Sequence, residues 1–460
     1  MRFTLGRPVF ALLLVALASG SAVLVRPAEP RANLVVWTFS QAQADFFRNS
    51  SLPRQFENRT GFSVGISLMG QSGENIRLAS AFMSDGRGAA APDLCEIEID
   101  AIGQFLRPPI RDIGLLPLND FLARSGWESR IVASRLAPWS KTDPATGRQI
   151  ICGIPEDVHP VAIAYRKDLF EQAGIDLAQA KSWNEFQSLC QRFESFWASR
   201  GFHDRRAIAL STSNPDELLE MLLQRHINLI DSDEQLHFTD AKVLGTLTFY
   251  ARMIAGSGAV AGEPSPGVQW TEDLEHGNIC AICAPDWKVD DLRRFSPDLA
   301  GKIALMPMPR FEPDDSATST LGGTMIGICR SCPDPERAWE LLEYLVLSPQ
   351  SHESAIAAGD DVLPAVSQYW SDPAYHRPDA FFAGGQSADD LFVTLAAQIP
   401  QRVVTPFTYQ AELALGVVLH RSVTFLRQQG PEGLDDACAG WLADAQNDIG
   451  RRIEFGKIEP

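Results

Sequence analysis

The sequence lacks features that mark several common classes of protein. After the first 35 residues it contains no basic block, and the formal net charge is −18. Because an acidic surface repels the phosphate backbone, we expect no nucleic-acid partner. No P-loop is present, so ATP hydrolysis would have to belong to another chain. Beyond the N-terminal segment, no apolar run approaches the length that spans a membrane.

Motifs of hydrolytic enzymes are also incomplete. Residues 70–74 (GQSGE) lack the last glycine of a nucleophile elbow. His352 and Glu353 lack the second histidine of a zinc-protease helix. A glycosidase needs only two carboxylates at a suitable separation, and the sequence leaves that alternative open. We expect a protein that is not an enzyme and that uses neither a cofactor nor a metal.

The N-terminus has the pattern of an export signal. Arg2 and Arg7 precede an apolar run at residues 9–17, which is followed by small residues. This order predicts a secretory signal over residues 1–22 and a periplasmic or extracellular location. The alternative is an uncleaved anchor, since residues 9–25 are barely long enough to cross a bilayer at about 17 residues.

The eight cysteines allow several interpretations. They are Cys95, Cys152, Cys190, Cys280, Cys283, Cys329, Cys332 and Cys438. Two CxxC pairs suggest zinc, but residues 280–283 fall in a predicted strand, where positions i and i+3 face opposite sides. We therefore expect disulfides or buried thiols instead.

Strand and helix patterns alternate along the chain. Buried or alternating strand patterns occur at 34–39, 62–68 and 93–99, with helical patterns between them. This spacing predicts βαβ units and a largely parallel sheet. Ser182 with Glu185 forms a capping-box pattern, and Asp334 precedes Pro335 at another predicted helix start. The length of 460 residues, without a flexible linker, suggests two lobes joined by strands that cross between them.

Short motifs occur in a fixed order along nearly all of the chain after the signal. They are VWTF (36–39), FENRTG (56–61), APDL (91–94), GLLPLND (114–120), CGIPED (152–157), AYRKDLFEQAGI (164–175), SWNEF (182–186), GNICAICAPDW (277–287), LGGT (321–324) and PERAWE (335–340). Together they resemble the bacterial extracellular solute-binding proteins of ABC-type sugar importers, the maltose-binding-like family.

The resemblance implies an α/β fold of the type II periplasmic-binding-protein kind, with a cleft between two lobes joined by several crossover strands. Lobe 1 would comprise residues 33–157 and 322–376, and lobe 2 residues 158–321 and 377–460. The cleft would close on a sugar or an oligosaccharide. The closed form, expected to be a monomer, would then deliver the sugar to a membrane permease.

Candidate ligand-binding residues follow from the position of strand ends. In open α/β sheets, ligands bind beyond the carboxyl ends of the strands. This rule selects aromatic, carboxylate and amide side chains that suit the C–H faces and hydroxyls of a sugar, namely Trp37, Phe39, Ser40, Gln71, Glu98, Asp100, Asp286 and Trp287. The resemblance adds aromatic contacts at Phe407 and Tyr409. Asp157 and Gly323, in the motifs at 152–157 and 321–324, complete the set.

Each of these side chains also has a purely structural interpretation. Trp37 could pack in the core or at its rim. Glu98 could pair with a nearby arginine, and Asp286 could cap the helix that follows it. His159, which precedes a proline near the predicted crossover, is better explained as a packed hinge residue.

The charge pattern keeps a second kind of ligand open. Carboxylates near the predicted cleft would suit a cation such as a polyamine, and they are Glu96, Glu98, Asp100, Glu156 and Asp157. A secreted carbohydrate-active enzyme is a third, less favoured alternative.

Overall fold

The computed structural model describes residues 31–458, apart from 85–90, 108, 144 and 360–361. The predicted signal or anchor segment, residues 1–22, therefore lies outside the described residues. Within the described part of the chain, no helix combines the length and the apolar character needed to cross a membrane.

Short strands and helices alternate along the described chain. The strands are β1 (Leu34–Thr38), β2 (Val64–Leu68), β3 (Leu94–Glu98), β4 (Ser140–Thr142), β5 (Gln149–Ile151), β6 (Ile154–Pro155), β7 (Asp157–Val158), β8 (Val161–Arg166), β9 (Ile208–Ala209), β10 (Ala261–Gly262), β11 (Ala281–Pro285), β12 (Ile303–Pro307), β13 (Thr324–Ile328) and β14 (Leu363–Pro364). The α-helices are α1 (Gln41–Asn49), α2 (Leu52–Thr60), α3 (Gln71–Met83), α4 (Ile99–Phe105), α5 (Asn119–Ser125), α6 (Ala133–Leu136), α7 (Lys167–Gln172), α8 (Trp183–Ala198), α9 (Asp216–Gln224), α10 (Ala241–Ile254), α11 (Trp270–His276), α12 (Asp286–Phe295), α13 (Pro335–Leu342), α14 (Pro349–Ala358), α15 (Ala388–Ala396), α16 (Thr408–Gln429) and α17 (Leu434–Ile458). Short 3₁₀ turns connect several of them.

The first sheet contains five strands in the order β2-β1-β3-β13-β6. β1 runs parallel to β2 and to β3. β13 runs antiparallel to β3, with Thr324 opposite Glu98, and antiparallel to β6. The carboxyl ends of β1, β2 and β3 therefore meet the start of β13 at one edge of this sheet. We call the part of the molecule that carries this sheet the first lobe.

The second sheet contains three strands in the order β11-β8-β12, and both pairings are antiparallel. The prediction of a largely parallel sheet is therefore wrong for this part, which we call the second lobe. β11 and β12 run parallel to each other and are joined through α12, as the alternation predicted. The antiparallel pattern arises because β8 enters from the first lobe and inserts between them.

Two of the segments by which the chain passes between the lobes lie side by side. The first crossing segment, residues 156–160, leads from β6 to β8, and the second, residues 308–323, leads from β12 to β13. The two segments pair with each other, since Val161 N–H donates to the Ser319 carbonyl at 3.1 Å and Pro160 forms a bridge with Thr320. This confirms the two-lobed α/β fold with crossover strands, whereas the exact lobe boundaries stay a prediction.

The C-terminal helices complete the second lobe. α16 and α17 pack against each other and against α10, and their apolar side chains share a buried core with residues of β8 and β11. Just before α16, the chain also touches the first lobe. A Cβ on Gly103 of α4 would lie 2.3 Å from the Thr405 carbonyl oxygen, so only glycine permits this approach.

The predicted helix ends are present. Ser182 Oγ accepts from Glu185 N–H at 3.2 Å, and the Glu185 carboxylate accepts from Ser182 N–H at 3.0 Å. Asp334 accepts from Arg337 N–H at 3.0 Å, ahead of Pro335. These contacts confirm the capping box and the second helix start.

The cysteines are buried and carry free thiols. Cys95 and Cys329 are neighbours in the first sheet, with their sulfur atoms 3.8 Å apart. Of the two interpretations offered for the cysteines, buried thiols match this structure.

Candidate functional site

A cavity of about 550 Å³ lies between the lobes, at the edge of the first sheet where β1 and β3 end. Phe39 and Ser40, which follow β1, and Glu98, which ends β3, line one side. Helix α12 of the second lobe supplies the other side, including Trp287. A molecule held in this cavity would contact both lobes, and the volume falls in the range of small-molecule binding sites.

Trp287 presents an aromatic surface to this cavity. It lies in the first turn of α12 and is half-buried. Its indole Nε1–H donates to the Leu321 carbonyl at 3.3 Å, and the Lys288 ammonium lies 5.6 Å from the centre of the ring. These contacts hold the indole against the second crossing segment, where its face can pack on the apolar side of a ligand.

Other aromatic groups of the cavity come from a distant part of the sequence. His352 of α14 stacks on Tyr369, with the ring centres 4.4 Å apart and the planes 9° from parallel, and both rings line the cavity. Neither residue follows a strand, so the strand-end rule could not have selected them.

Two carboxylates of β3 face the cavity from the first lobe. Glu96 accepts from the Thr38 hydroxyl, and Glu98 accepts from the side-chain amide of Gln71. Burial raises the pKa of Glu96 to about 7, although the Thr38 hydrogen bond opposes this shift. Burial, assisted by the nearby charge of Asp100, raises the pKa of Glu98 to about 7. Near neutral pH each carboxyl group can therefore either donate or accept a hydrogen bond.

A buried ion network joins the two lobes at the first crossing segment. His159 Nδ1 lies 2.7 Å from an oxygen of Asp286 at the start of α12, and His159 Nε2 lies 3.1 Å from Asp157. The guanidinium of Arg135 in the first lobe lies 3.3 Å from Asp157. These side chains, which we call the hinge network, connect α6 with α12 across the first crossing segment.

Protonation of this network follows from its contacts. Burial alone would lower the pKa of His159, but the two neighbouring carboxylates raise it to about 10, so the imidazole is charged at neutral pH. Burial alone would raise the pKa of Asp157, but His159 and Arg135 hold it at about 2. The crossing segment is therefore fixed by ionised, mutually paired groups.

Gly323 lies where the second crossing segment meets this network. Its φ is +125°, and a Cβ at this position would lie 1.9 Å from Nη2 of Arg135. Both the backbone conformation and the space therefore require glycine.

A second, smaller cavity of about 60 Å³ lies where α4, α9 and α16 approach one another. Its wall includes Asp100, Asp216, Glu220, Arg402 and Glu412. The Arg402 guanidinium lies 2.7 Å from Asp100 and 2.9 Å from Glu412, so its positive charge is paired with these two carboxylates. Burial raises the pKa of Glu220 to about 8 and that of Glu412 to about 7. The site thus collects more carboxylates than cations.

Several of the predicted ligand-binding residues meet in the cleft. Those that line the large cavity are Phe39, Ser40, Glu98, Asp157, Trp287 and Gly323. Asp100 lines the smaller cavity, and Gln71 bonds directly to Glu98. The strand-end rule and the resemblance together therefore selected side chains that the fold gathers at one place.

The remaining predicted residues do not line either cavity. Trp37 is buried in the core of the first lobe. Phe407 is buried, with the Arg107 guanidinium 5.9 Å from the centre of its ring. Tyr409 is 53% exposed and lies one turn before Glu412 on the same face of α16, which places it beside the smaller cavity.

The Asp286 side chain precedes Trp287 in the chain and bonds to groups of the fold. It is buried, and its oxygens are occupied by His159 and by the backbone N–H groups of Trp287, at 2.9 Å, and Leu363, at 3.3 Å. It therefore anchors the start of α12, but as the first residue of the helix and not as its N-cap, which is Pro285.

Glu220 and Glu412 are cleft residues that the sequence did not identify. Both lie on helices and reach the site only through tertiary packing. The sequence held one signal for Glu220. It is a charged residue between Leu219 and Met221 in a mostly apolar helix, a position that indicates burial.

The fold and the cleft together define a two-lobed protein that binds a small solute between its lobes. The sequence model of the family described as bacterial extracellular solute-binding protein matches residues 66–350, more than half of the chain. The chain belongs to this family, which consists of binding proteins rather than enzymes.

Relatives with assigned functions cover most of the chain. The arabinooligosaccharide-binding protein of Halalkalibacterium halodurans is 24% identical over 382 residues, which cover 79% of this chain and 78% of that protein. The arabinooligosaccharide-binding protein of Bacillus subtilis is 21% identical over 447 residues, covering 94% and 96%.

Solved structures agree on the fold. The sugar-binding protein MalE from Xanthomonas citri matches with a TM-score of 0.73 at 20% identity, covering 93% of this chain and all of that one. The ABC transporter associated binding protein from B. animalis subsp. lactis, solved with beta-1,6-galactobiose, matches with a TM-score of 0.68 at 18% identity, covering 91% and 98%.

Proposed function

We propose that this chain is the solute receptor of an ABC-type importer and that it binds a sugar or an oligosaccharide in the cleft. The observation that carries the proposal is the cavity of about 550 Å³ between the lobes, which places the Trp287 ring opposite the carboxyl groups of Glu96 and Glu98. An aromatic face packs on the C–H side of a sugar ring, and carboxylates accept hydrogen bonds from its hydroxyls.

Named relatives favour an oligosaccharide over other solutes. Both arabinooligosaccharide-binding proteins align with at least 79% of the chain. The structural neighbour from B. animalis holds a galactobiose. These proteins support the sugar class, while the sugar itself has to be found by experiment.

Ligand contacts are assigned to both sides of the cleft. In this proposal Trp287 stacks on one sugar ring, while Glu98 and the backbone near Gly323 bond its hydroxyls. Asp100 contacts the ligand where the two cavities approach each other, and exposed Tyr409 stacks on a further ring at the rim. Asp157 acts as the fixed end of the hinge network as well as a part of the wall.

Closure of the lobes couples binding to transport in this proposal. A ligand that contacts both lobes binds the closed state more tightly, and this difference shifts the equilibrium towards closure. The exported, monomeric receptor then presents the closed form to a membrane permease. The sugar is released chemically unchanged.

A thermal-shift screen tests this function. Arabino-, galacto- and malto-oligosaccharides are added to the chain without its signal segment, because a solute that binds only the folded state raises the melting temperature. We expect a rise with at least one series and full recovery of that sugar by chromatography after prolonged incubation. The absence of any rise, or cleavage of the sugar, would contradict the proposal.

A further inference from the structure

Two kinds of side chain line the large cavity. At the edge of the first sheet the lining is polar and includes Ser40, Glu98 and Asp157. Elsewhere the first lobe lines the cavity with half-buried apolar side chains, which we call the apolar wall, namely Phe46, Val346, Ala355, Val362 and Pro364. Apolar surface that faces a cavity stays in contact with water, so covering it with an apolar group is favourable.

The polar side chains beside the apolar wall are already bonded within the protein. The hydroxyls of Ser351 and Tyr369 each donate to a backbone carbonyl, that of Tyr369 at 2.8 Å. His352 Nε2 lies 3.1 Å from the Asp372 carboxylate. A sugar ring carries several hydroxyls, and each one that loses water here would need a new partner. This part of the cavity therefore suits a group without hydroxyls.

Closure of the empty lobes would not supply an apolar partner for this wall. Helix α12, which lines the cavity from the second lobe, contributes Asp290, Asp291 and Arg294. Pressing these charged side chains against apolar ones would remove water from them without a hydrogen bond in return. The group that covers the apolar wall therefore has to arrive with the solute.

An aromatic ring fits these surroundings better than an alkyl chain. Tyr369 is half-buried and stacks on His352 with the ring planes 9° from parallel, and both rings line the cavity. A further ring can pack against the edge or the face of this pair. Exposed Arg294 lines the same cavity, and its guanidinium can lie over the face of such a ring.

We propose that the apolar wall is a subsite for an aryl group and that the receptor selects oligosaccharides that carry an aromatic substituent, as a glycoside or an ester. The inference rests on the proposed function, since the sugar occupies the polar part of the cavity beside Trp287 and Glu98. One cavity contains both parts, so a single solute reaches both. Ser40 caps α1 and Phe46 lies six residues further on, about 9 Å along the helix, which a sugar ring with its substituent can span.

Matched ligands test the subsite. Arabinobiose, galactobiose and maltose are each prepared as the 4-nitrophenyl glycoside and, as the counterpart, as the methyl glycoside of the same anomer. A second pair carries a benzoyl or an acetyl ester on the terminal ring, so that the aryl group is offered at either end of the sugar. In calorimetric titrations of the parent chain, at least one aryl ligand should bind about tenfold more tightly than its counterpart.

Ala355→Phe tests the location of the subsite. Ala355 is half-buried in α14, so the larger side chain takes up part of the space that the aryl group needs. This variant should reduce the preference for aryl ligands to within about twofold, while the methyl glycosides and acetyl esters keep their affinity. Ala357→Phe is the matched control, since Ala357 is exposed in the same helix and lines neither cavity. Equal loss of the preference in both variants would overturn the location.

The outcomes separate the subsite from the function on which it rests. Aryl ligands that bind no more tightly than their counterparts would overturn the subsite and leave the sugar receptor intact. Failure of every sugar, with or without an aryl group, would overturn both. Hexyl glycosides of the same sugars form a third arm, and a gain equal to that of the aryl ligands would overturn the choice of an aromatic group.

Discussion

At the scale of single residues, the cleft shows how surroundings set the state of a buried carboxyl group. Asp157 contacts His159 and Arg135, and these cations keep it ionised at any physiological pH. Glu220 is equally buried but has no cation in contact with it among the described residues, and burial raises its pKa to about 8. The same functional group is thus ionised in one place and largely protonated at neutral pH in the other.

Trp287→Ala should weaken oligosaccharide binding roughly 10- to 100-fold, because the loss of a half-buried indole removes about 1.5–3 kcal/mol of apolar contact. The melting temperature of the free protein should change little. Trp441→Ala is the control, since Trp441 is also half-buried but lies in α17, away from both cavities. Parent-like affinity of Trp287→Ala in a calorimetric titration would remove this residue from the site.

Gly323→Ala should destabilise the fold by about 2 kcal/mol or more, because a Cβ meets Arg135 and the backbone is in a region that other residues avoid. Gly70→Ala should cost less than about 1 kcal/mol, since Gly70 has an ordinary φ of −66° and open space around its Cβ position. Urea unfolding curves measure both changes. Equal midpoints for the two variants would show that the second crossing segment tolerates a side chain.

At the scale of elements, the two crossing segments and α12 form the mechanical link between the lobes. Asp286 begins α12, His159 lies in the first crossing segment, and Trp287 contacts the second through Leu321. In the proposed function, a ligand that stacks on the Trp287 ring therefore contacts a helix that is bonded to both crossing segments.

His159→Gln should lower the free energy of unfolding by about 3 kcal/mol or more, since it leaves Asp157 and Asp286 without their shared buried cation. His376→Gln is the matched control. His376 also lies 2.7 Å from a carboxylate, that of Asp390, but the pair is exposed and screened by solvent, so its loss should leave the free energy of unfolding nearly unchanged. Similar losses in the two variants would mean that the hinge network does not hold the lobes.

Helix ends were predictable from the sequence because their signals act over three or four residues, as the capping box at Ser182 and the helix start at Asp334 illustrate. The direction of the strands was not predictable from the sequence. Nothing in the residues of β8 shows that this strand inserts between β11 and β12. Such an insertion is decided by the route of the whole chain.

The candidate site was predictable only where a local sequence pattern marks its residues. Glu98 and Phe39 follow from strand ends, a rule that needs only local pattern. Trp37 has equal aromatic character but lies within β1, where the pleat turns it into the core. Glu220 and Glu412 reach the cleft through the packing of helices that are far apart in sequence, and no local pattern fixes that distance.

At the scale of the whole molecule, acidic side chains concentrate where the lobes meet. Burial there disfavours their ionised form and so destabilises the free protein when they lose their protons. Glu96, Glu98 and Glu220 all have a raised pKa, chiefly through burial. The folded protein therefore binds more protons than the unfolded chain between about pH 4.5 and 8, and its stability falls as the pH rises through this range.

The stability of the free protein should therefore be highest at mildly acidic pH. The hinge network contributes fully between the usual pKa of Asp157, 3.8, and that of His159, 6.5. Calorimetric scans from pH 4 to 9 should give the highest melting temperature near pH 4.5 to 5, followed by a decline towards pH 8. Glu220→Gln should flatten the decline. A melting temperature that rises from pH 6 to pH 8 would contradict these assignments.

Titration calorimetry of the chain with arabino-, galacto- and malto-oligosaccharides is the decisive test of sugar binding in the cleft. We expect at least one sugar to give a saturable heat with one site per chain and a dissociation constant on the order of 1 μM or below. A flat titration with every series would contradict the claim that the cleft is a sugar-binding site.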